Sequence, residues 1–181
     1  MTETLVKKTL LPHLLLIAGN GRNVGKTTLA CQIIAKLSES TPVIGIKISS
    51  HFHSYSENEV VRKGENFVIV EETQNTWKDS SLMLQAGADK VFFVMAEQTH
   101  LREAFDNLAE LLPSSALVCE SGGLHELVQP GLFLFVNLEG RKIVKHKHLL
   151  HHPVLVENDG RHFNLNLENI VFQNQKIQFI G

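Results

Sequence analysis

Apolar and polar positions alternate in blocks along this chain, and the blocks follow two different periods. Residues 13–18 (His-Leu-Leu-Leu-Ile-Ala) form an almost continuous apolar run, the pattern of a strand buried on both faces of a parallel sheet. Leu29, Ile33 and Leu37 then recur every four residues with Ala30 and Ile34 beside them, which is one face of a helix. Short apolar runs predict further strands over 43–48, 67–70, 91–94, 116–119 and 132–136. Between them a helix is expected from Asp79 through Leu82, Met83 and Ala86 to a stop at Gly87. Another is expected after Thr99 as cap, with Leu101, Ala104, Phe105, Leu108 and Leu111 on one face and Pro113 ending it. Residues 49–59 are too polar to be core. The succession predicts an α/β fold, a mainly parallel sheet with helices on both faces.

After Asn137 the long helical periods stop. The tail to residue 181 reads as short and β-rich, with a hairpin signal at Asn158-Asp159-Gly160. Residues 171–172 and 177–179 fit a second hairpin around Asn174-Gln175, and a short helix starting at Leu167 fits as well. The pattern leaves both open. No repeat or low-complexity linker divides the chain, so one domain is expected over residues 1–181.

The turn between the first strand and helix carries the chemistry. Gly19-Asn20-Gly21-Arg22-Asn23-Val24-Gly25-Lys26-Thr27-Thr28 puts glycines and Gly-Lys-Thr-Thr between a strand and an amphipathic helix, the context of a phosphate-binding loop. Glycines let successive N–H groups turn inward toward phosphate oxygens, and the helix adds its positive end. Lys26 then reaches the terminal phosphates and the Thr27 hydroxyl ligates magnesium. One position departs from the common pattern: Asn20 stands where a glycine is usual, five residues before Gly25, and the glycine comes one earlier, at Gly19. The expected ligands are Mg2+ and a nucleoside triphosphate, GTP or ATP.

In open parallel sheets, ligands sit at the carboxyl ends of strands. Lys47 and His51 follow the second strand, Glu71 and Glu72 the third, Asp79 opens a helix, and Glu120 precedes Ser121-Gly122-Gly123. A carboxylate at the place of Glu120 can hold the metal's water shell. The expected binding set is therefore Gly19, Gly21, Asn23, Val24, Gly25, Lys26, Thr27, Thr28, Lys47 and His51. Lys26, Asp79 and Glu120 are the expected catalytic groups, with Thr27 and Glu120 on the metal.

Composition narrows the partners. The chain has 181 residues, 43% hydrophobic and 20% charged, enough for a sizeable core. A net charge of −2 gives no reason to expect nucleic acid or an anionic membrane. No apolar run is long enough to span a bilayer, Pro12 and His13 interrupt the first one, and no signal peptide is visible, so the cytoplasm is expected. Cys31 and Cys119 form no motif and read as reduced core thiols.

Two stretches carry a family resemblance. Gly45-Ile46-Lys47 with His51 and His53, then Lys78-Asp79-Ser80 and Gln85-Ala86-Gly87-Ala88-Asp89, resemble the MobB-type molybdopterin-guanine dinucleotide biosynthesis proteins. In that family a Lys-His-x-His-His run follows the second strand, and a Gly-Lys-Asp-Ser helix start leads to Ala-Gly-Ala-Asp. Here the first is loosened and Trp77 replaces the glycine of the second. Cys119-Glu120-Ser121-Gly122 is similar to the family's Val-Glu-Gly. The resemblance covers roughly residues 14–136. It implies a GTP-binding accessory protein in molybdenum cofactor biosynthesis, a homodimer and slow NTPase that acts with a molybdopterin guanylyltransferase and molybdopterin. The loop itself is more similar to that of dethiobiotin synthetase, as are Gly45-x-Lys47 and Glu120-Ser121-Gly122-Gly123-Leu124. That alternative implies an ATP-dependent ligase. An uncharacterised phosphate-loop NTPase is the third.

Two features are weaker. The Asn/Thr-Lys-x-Asp pattern that reads guanine is missing, and Asn137 after the strand at 132–136 is a base-binding candidate or a turn residue. His146, His148, His151 and His152 lie among Arg141, Lys142, Lys145 and Lys147, which reads as a solvated basic patch rather than a metal site.

Overall fold

The computed structural model describes residues 8–180. The order of elements is β1 (Thr9–Gly19), α1 (Lys26–Ser38), β2 (Val43–Ser49), β3 (Val60–Lys63), β4 (Phe67–Glu71), α2 (Asp79–Gln85), β5 (Lys90–Ala96), α3 (Leu101–Ala109), β6 (Ala116–Glu120), β7 (Val128–Leu138), α4 (His146–Leu149), β8 (Val154–Asn158), β9 (Ile170–Gln173) and β10 (Lys176–Phe179). Eight strands form one sheet in the order β3-β4-β5-β2-β6-β1-β7-β8. From β5 to β8 every neighbouring pair is parallel, so these six strands end on one edge. The expected α/β architecture is present.

Both faces of the sheet are covered, because alternate side chains of each strand feed different cores. Leu15, Ile17, Val118 and Leu134 pack under α1 and α2. Leu14, Leu16, Cys119 and Phe135 face the other way, toward Ala104, Phe105 and Leu108 of α3. The tail hairpin β9–β10 closes the α1 side, with Ile170 and Ile177 buried in that core. Helix α1 buries Leu29, Ala30, Ile33, Ile34 and Leu37, the stripe its periodicity announces.

Several details differ from the pattern. Strand β1 runs back through Pro12 to Thr9, and its register against β7 shifts between Leu11 and Leu15, as a proline without an N–H demands. Strand β4 is antiparallel to both β3 and β5. Three residues, 64–66, join β3 to β4, too few for a crossover. Thr99 does not cap α3: a 3-10 turn over Gln98–His100 precedes the helix, and the Thr99 hydroxyl meets His100 Nδ1 instead. The tail contains both alternatives in miniature. A single 3-10 turn over Leu167–Asn169, capped by Asn166, leads into the hairpin, whose turn residues Asn174 and Gln175 have φ of 51° and 57°. Asn158-Asp159-Gly160 makes a tight turn closed by one bridge from Asn158 to Phe163, not a hairpin of two strands. Cys31 is half-buried, Cys119 is buried, and both are free thiols. Among the described residues no helix is long and apolar enough to cross a membrane.

Candidate functional site

The loop between β1 and α1 is shaped from below. A Cβ on Gly19 would stand 2.8 Å from Val24 Cγ2 and 3.0 Å from both Lys26 Cδ and the Val136 carbonyl, so only glycine lets the loop close over β7. Val24 is fully buried beneath it. Asn23 and Gly25 sit in left-handed backbone, φ 57° and 98°, and Gly25 is the residue before the first turn of α1. Lys26 Nζ donates to the Gly21 carbonyl at 2.6 Å, folded back across its own loop.

Beside the loop lies a network of four side chains. The Thr27 hydroxyl donates to Glu120 Oε2 at 2.7 Å, and Lys47 Nζ reaches Glu120 Oε1 and Asp79 Oδ2, each at 2.7 Å. Four elements meet there: α1 brings Thr27, the adjacent strands β2 and β6 bring Lys47 and Glu120, and α2 brings Asp79. Glu120 stands at the strand end, as expected, and is buried there. It is only 3% exposed, because both oxygens are committed inside the sheet edge. Burial works against the Lys47 ammonium, yet the charge of Glu120 and the hydrogen bonds that Lys47 donates to Asp79 and Glu120 outweigh it and hold its pKa above the ordinary lysine value. For Lys26 burial prevails: its pKa is lowered, with Glu120 opposing and Lys47 and Lys145 adding to the fall.

These groups wall a cleft of about 870 Å3 at the carboxyl edge of the parallel strands. Gly21, Asn23, Gly25, Lys26, Thr27, Thr28, Lys47, His51, Asp79 and Glu120 all line it, and so do Arg22 and His53. Ser49 holds the loop after β2 in place, its hydroxyl donating to the His51 carbonyl and accepting from the His51 N–H. Trp77, in the glycine position of the resembling family, is 92% exposed and outside the cleft wall.

Glu71 and Glu72 are elsewhere. Because β4 is antiparallel, its end points away from the cleft; Glu71 pairs with Lys90 at the start of β5, and Glu72 accepts from the Ser80 hydroxyl. Asn137 is spent within the fold, its amide donating to the Arg141 carbonyl and accepting from Asn20. It is buried and off the cleft wall, so it is not placed to meet a base there.

The departure at Asn20 has a structural cause. Its buried amide donates to Asn137 Oδ1 and the Lys142 carbonyl and accepts from the N–H groups of Val144 and Lys145. This pins residues 142–145 to the phosphate loop and makes Lys145 part of the cleft wall. The histidine-rich segment that follows is not all surface. His146 and His152 are exposed, but His148 is buried, with Nε2 2.9 Å from the Gly122 carbonyl and its ring stacked on His125 at 4.1 Å. No three His, Cys, Asp or Glu side chains among the described residues form a metal-binding group. Lys145 carried no local signal; only the partners of Asn20, more than a hundred residues away, reveal it.

Fold and loop together define a phosphate-loop NTPase architecture. No protein-family model matches the chain, and no curated protein matches it. Among solved structures it is similar to LpxK from Aquifex aeolicus, a crystal structure of the "apo" form in complex with ATP. The TM-score is 0.54 at 18% identity, over 84% of this chain and 50% of that one, which is a likeness of fold. This chain thus spans half the length of that protein.

Proposed function

We propose that this protein binds a magnesium nucleoside triphosphate on the 19–28 loop and acts on its terminal phosphoryl group. The observation that carries this is the convergence of Lys26, Thr27, Glu120, Lys47 and Asp79 on one cleft directly above a strand–loop–helix phosphate cradle. The Thr27 hydroxyl and the Glu120 carboxylate, adjacent hard oxygen donors, suit magnesium, which keeps most of its shell as water and phosphate oxygen. When bound, the ion neutralises charge on the outer phosphates. Lys26 would exchange the Gly21 carbonyl for a phosphate oxygen, and Lys47 would hold Glu120 in place. The ATP in the fold neighbour LpxK supports the ligand class. Calorimetry with ATP and GTP in the presence of magnesium tests the reading: saturable binding of at least one is expected, and binding of neither overturns it.

The finer reading is a GTP-binding accessory role in molybdopterin-guanine dinucleotide biosynthesis, as a homodimer working with a guanylyltransferase and molybdopterin. It rests on residues 45–53 and 78–89, and what supports it is that Lys47, His51 and Asp79 from those stretches line one wall. The ligase alternative draws support from the reach of the cleft past the loop to Ser50, Gln98 and Leu101, which leaves space for a second substrate. Cytoplasmic location belongs to both.

A further inference from the structure

Residues 142–149 cross the rim of the cleft as a strap tied at both ends. At one end the Asn20 amide, 4% exposed, holds the Lys142 carbonyl and the N–H groups of Val144 and Lys145 at 2.9, 2.9 and 3.3 Å. At the other, His148 lies buried with Nε2 2.9 Å from the Gly122 carbonyl, two residues past Glu120. The two ends are joined internally, His148 N–H to the Lys145 carbonyl at 3.2 Å. Lys145 is the cleft-facing residue between them.

Two further facts give that lysine a purpose. Its ammonium forms no ion pair with a carboxylate of the described residues, although Glu120 and Asp79 stand in the same cleft. It also lies close enough to Lys26 for their charges to repel, which helps lower the Lys26 pKa. Two cations held near one another at a phosphate loop, neither in an ion pair among the described residues, are arranged for an anion carried by the ligand. Tethered through Asn20 and, by His148, to Gly122 two residues past Glu120, Lys145 shares the cleft wall with Glu120 and Thr27, where the reading above puts the outer phosphates and their metal.

We propose that Lys145 is a second phosphate-binding lysine beside Lys26, carried on a strap pinned by Asn20 and His148, and that it makes this cleft selective for nucleoside triphosphate over diphosphate. The inference rests on the nucleotide-binding reading above. It also gives the departure at Asn20 a function: a glycine there has no amide with which to hold the strap. Asn20 and His148 are positioning residues and Lys145 is the contact.

The test is calorimetry on the full chain with ATP, ADP, GTP and GDP, each with magnesium, for wild type, Lys145→Ala, Lys145→Arg and Asn20→Ala. Lys145 is exposed, so its variants should fold, and thermal unfolding verifies this. A charge-assisted contact predicts that Lys145→Ala loses about tenfold in triphosphate affinity and less than about twofold in diphosphate affinity, with Lys145→Arg retaining most of the difference. Asn20→Ala should reproduce the selective loss, and the double variant should add little to it. Should Asn20→Ala fail to fold, the two Lys145 variants decide alone. Unchanged triphosphate binding by Lys145→Ala, or an equal loss for both nucleotide forms, overturns this inference while leaving nucleotide binding intact. Wild type that binds none of the four overturns both.

Discussion

Glu120 and Lys47 stand 2.7 Å apart at the ends of neighbouring strands, and the second oxygen of that carboxylate takes the Thr27 hydroxyl. Parallel register makes the pair, because Lys47 and Glu120 are direct partners across the β2–β6 ladder. Their side chains point to the same face and meet where the strands stop. This carboxylate is thus part of the fold as well as of the site.

Replacing it therefore tests both. Glu120→Gln keeps the shape but removes the charge that Lys47, largely buried, is matched to. Breaking one partner of a buried pair costs more than a surface change, and the amide can still accept one bond. A loss of about 1–3 kcal/mol is expected, read by chemical denaturation without ligand. Magnesium-dependent nucleotide affinity should fall as well. Unchanged stability with lost affinity would make Glu120 a group of the site alone.

Lys26→Ala should abolish nucleotide binding. The outer phosphates then lose the cation that the loop itself supplies, and no other residue of residues 19–28 can replace it except Arg22, which is exposed at the rim. Calorimetry that shows the variant binding ATP and GTP like wild type would sink the phosphate-loop reading.

Acid should weaken the fold through His125. This ring is 2% exposed, neither of its nitrogens has a hydrogen-bond partner, and it stacks between Phe133 and His148 with His151 at its edge. Burial first, then the charges of His148, His151, Lys8 and Lys145, push its pKa from 6.5 to about 3. His148 and His151 are lowered too, again by burial first, with Glu126 opposing. In the unfolded chain these rings take up protons near pH 6.5, whereas the folded chain refuses them. For His125 this stability is complete above that pH and declines as pH falls toward 3, by at most about 1.4 kcal/mol per pH unit. Denaturation midpoints at pH 7.5 and 5 should differ for wild type and differ less for His125→Phe. Equal differences would remove the role of the cluster.

The parts legible in the sequence were those whose cause is local. The apolar run at 13–18, the four-residue stripe of α1 and the Gly-Lys-Thr-Thr turn each announce themselves within a few residues, and Lys47, Asp79 and Glu120 follow once strand ends are known. Strand β3 was missed because four half-exposed residues at a sheet edge need no apolar pattern, only a partner. Glu71 and Glu72 were misplaced because strand direction is set by neighbours and not by the strand itself. The strap was invisible for the same reason. Lys145 in a run of lysines and histidines reads as solvated surface until Asn20, 125 positions earlier, is found holding its N–H. His148 likewise owes its burial to His125 and Gly122, not to its exposed neighbours. The apolar residues of 132–136, which could equally have met a second chain, fold into both cores. A dimer would have to use other surface, such as the edge strand β8 with Leu155 half exposed, and light scattering at micromolar concentration is the measurement.

Alone, this protein should hydrolyse nucleotide slowly. Fast phosphate-loop enzymes place a cation on the transferring group and a side chain that orients the attacking water. Cations are plentiful here, with Lys26, Lys47, Arg22 and Lys145 on the cleft wall. Among the described residues a free water-orienting group is what is missing. Glu120 and Asp79 are the carboxylates lining the cleft, and both are engaged by Lys47, Glu120 by Thr27 as well. Glu71 and Glu72 lie outside it. His51 is exposed with no hydrogen-bond partner for its ring among the described residues, and the His53 ring is turned to the Ser49 hydroxyl and Phe93. Turnover far below the roughly 10 per second of a typical enzyme is therefore expected, rising when a partner or second substrate completes the site. The measurement is single-turnover hydrolysis of ATP and GTP by the pure protein, repeated with a diaminocarboxylic acid and bicarbonate. Slow release in both cases supports the accessory role. Rapid phosphate release that depends on both additions would establish the ligase instead, because a synthetase brings its own acceptor into the space beyond the loop.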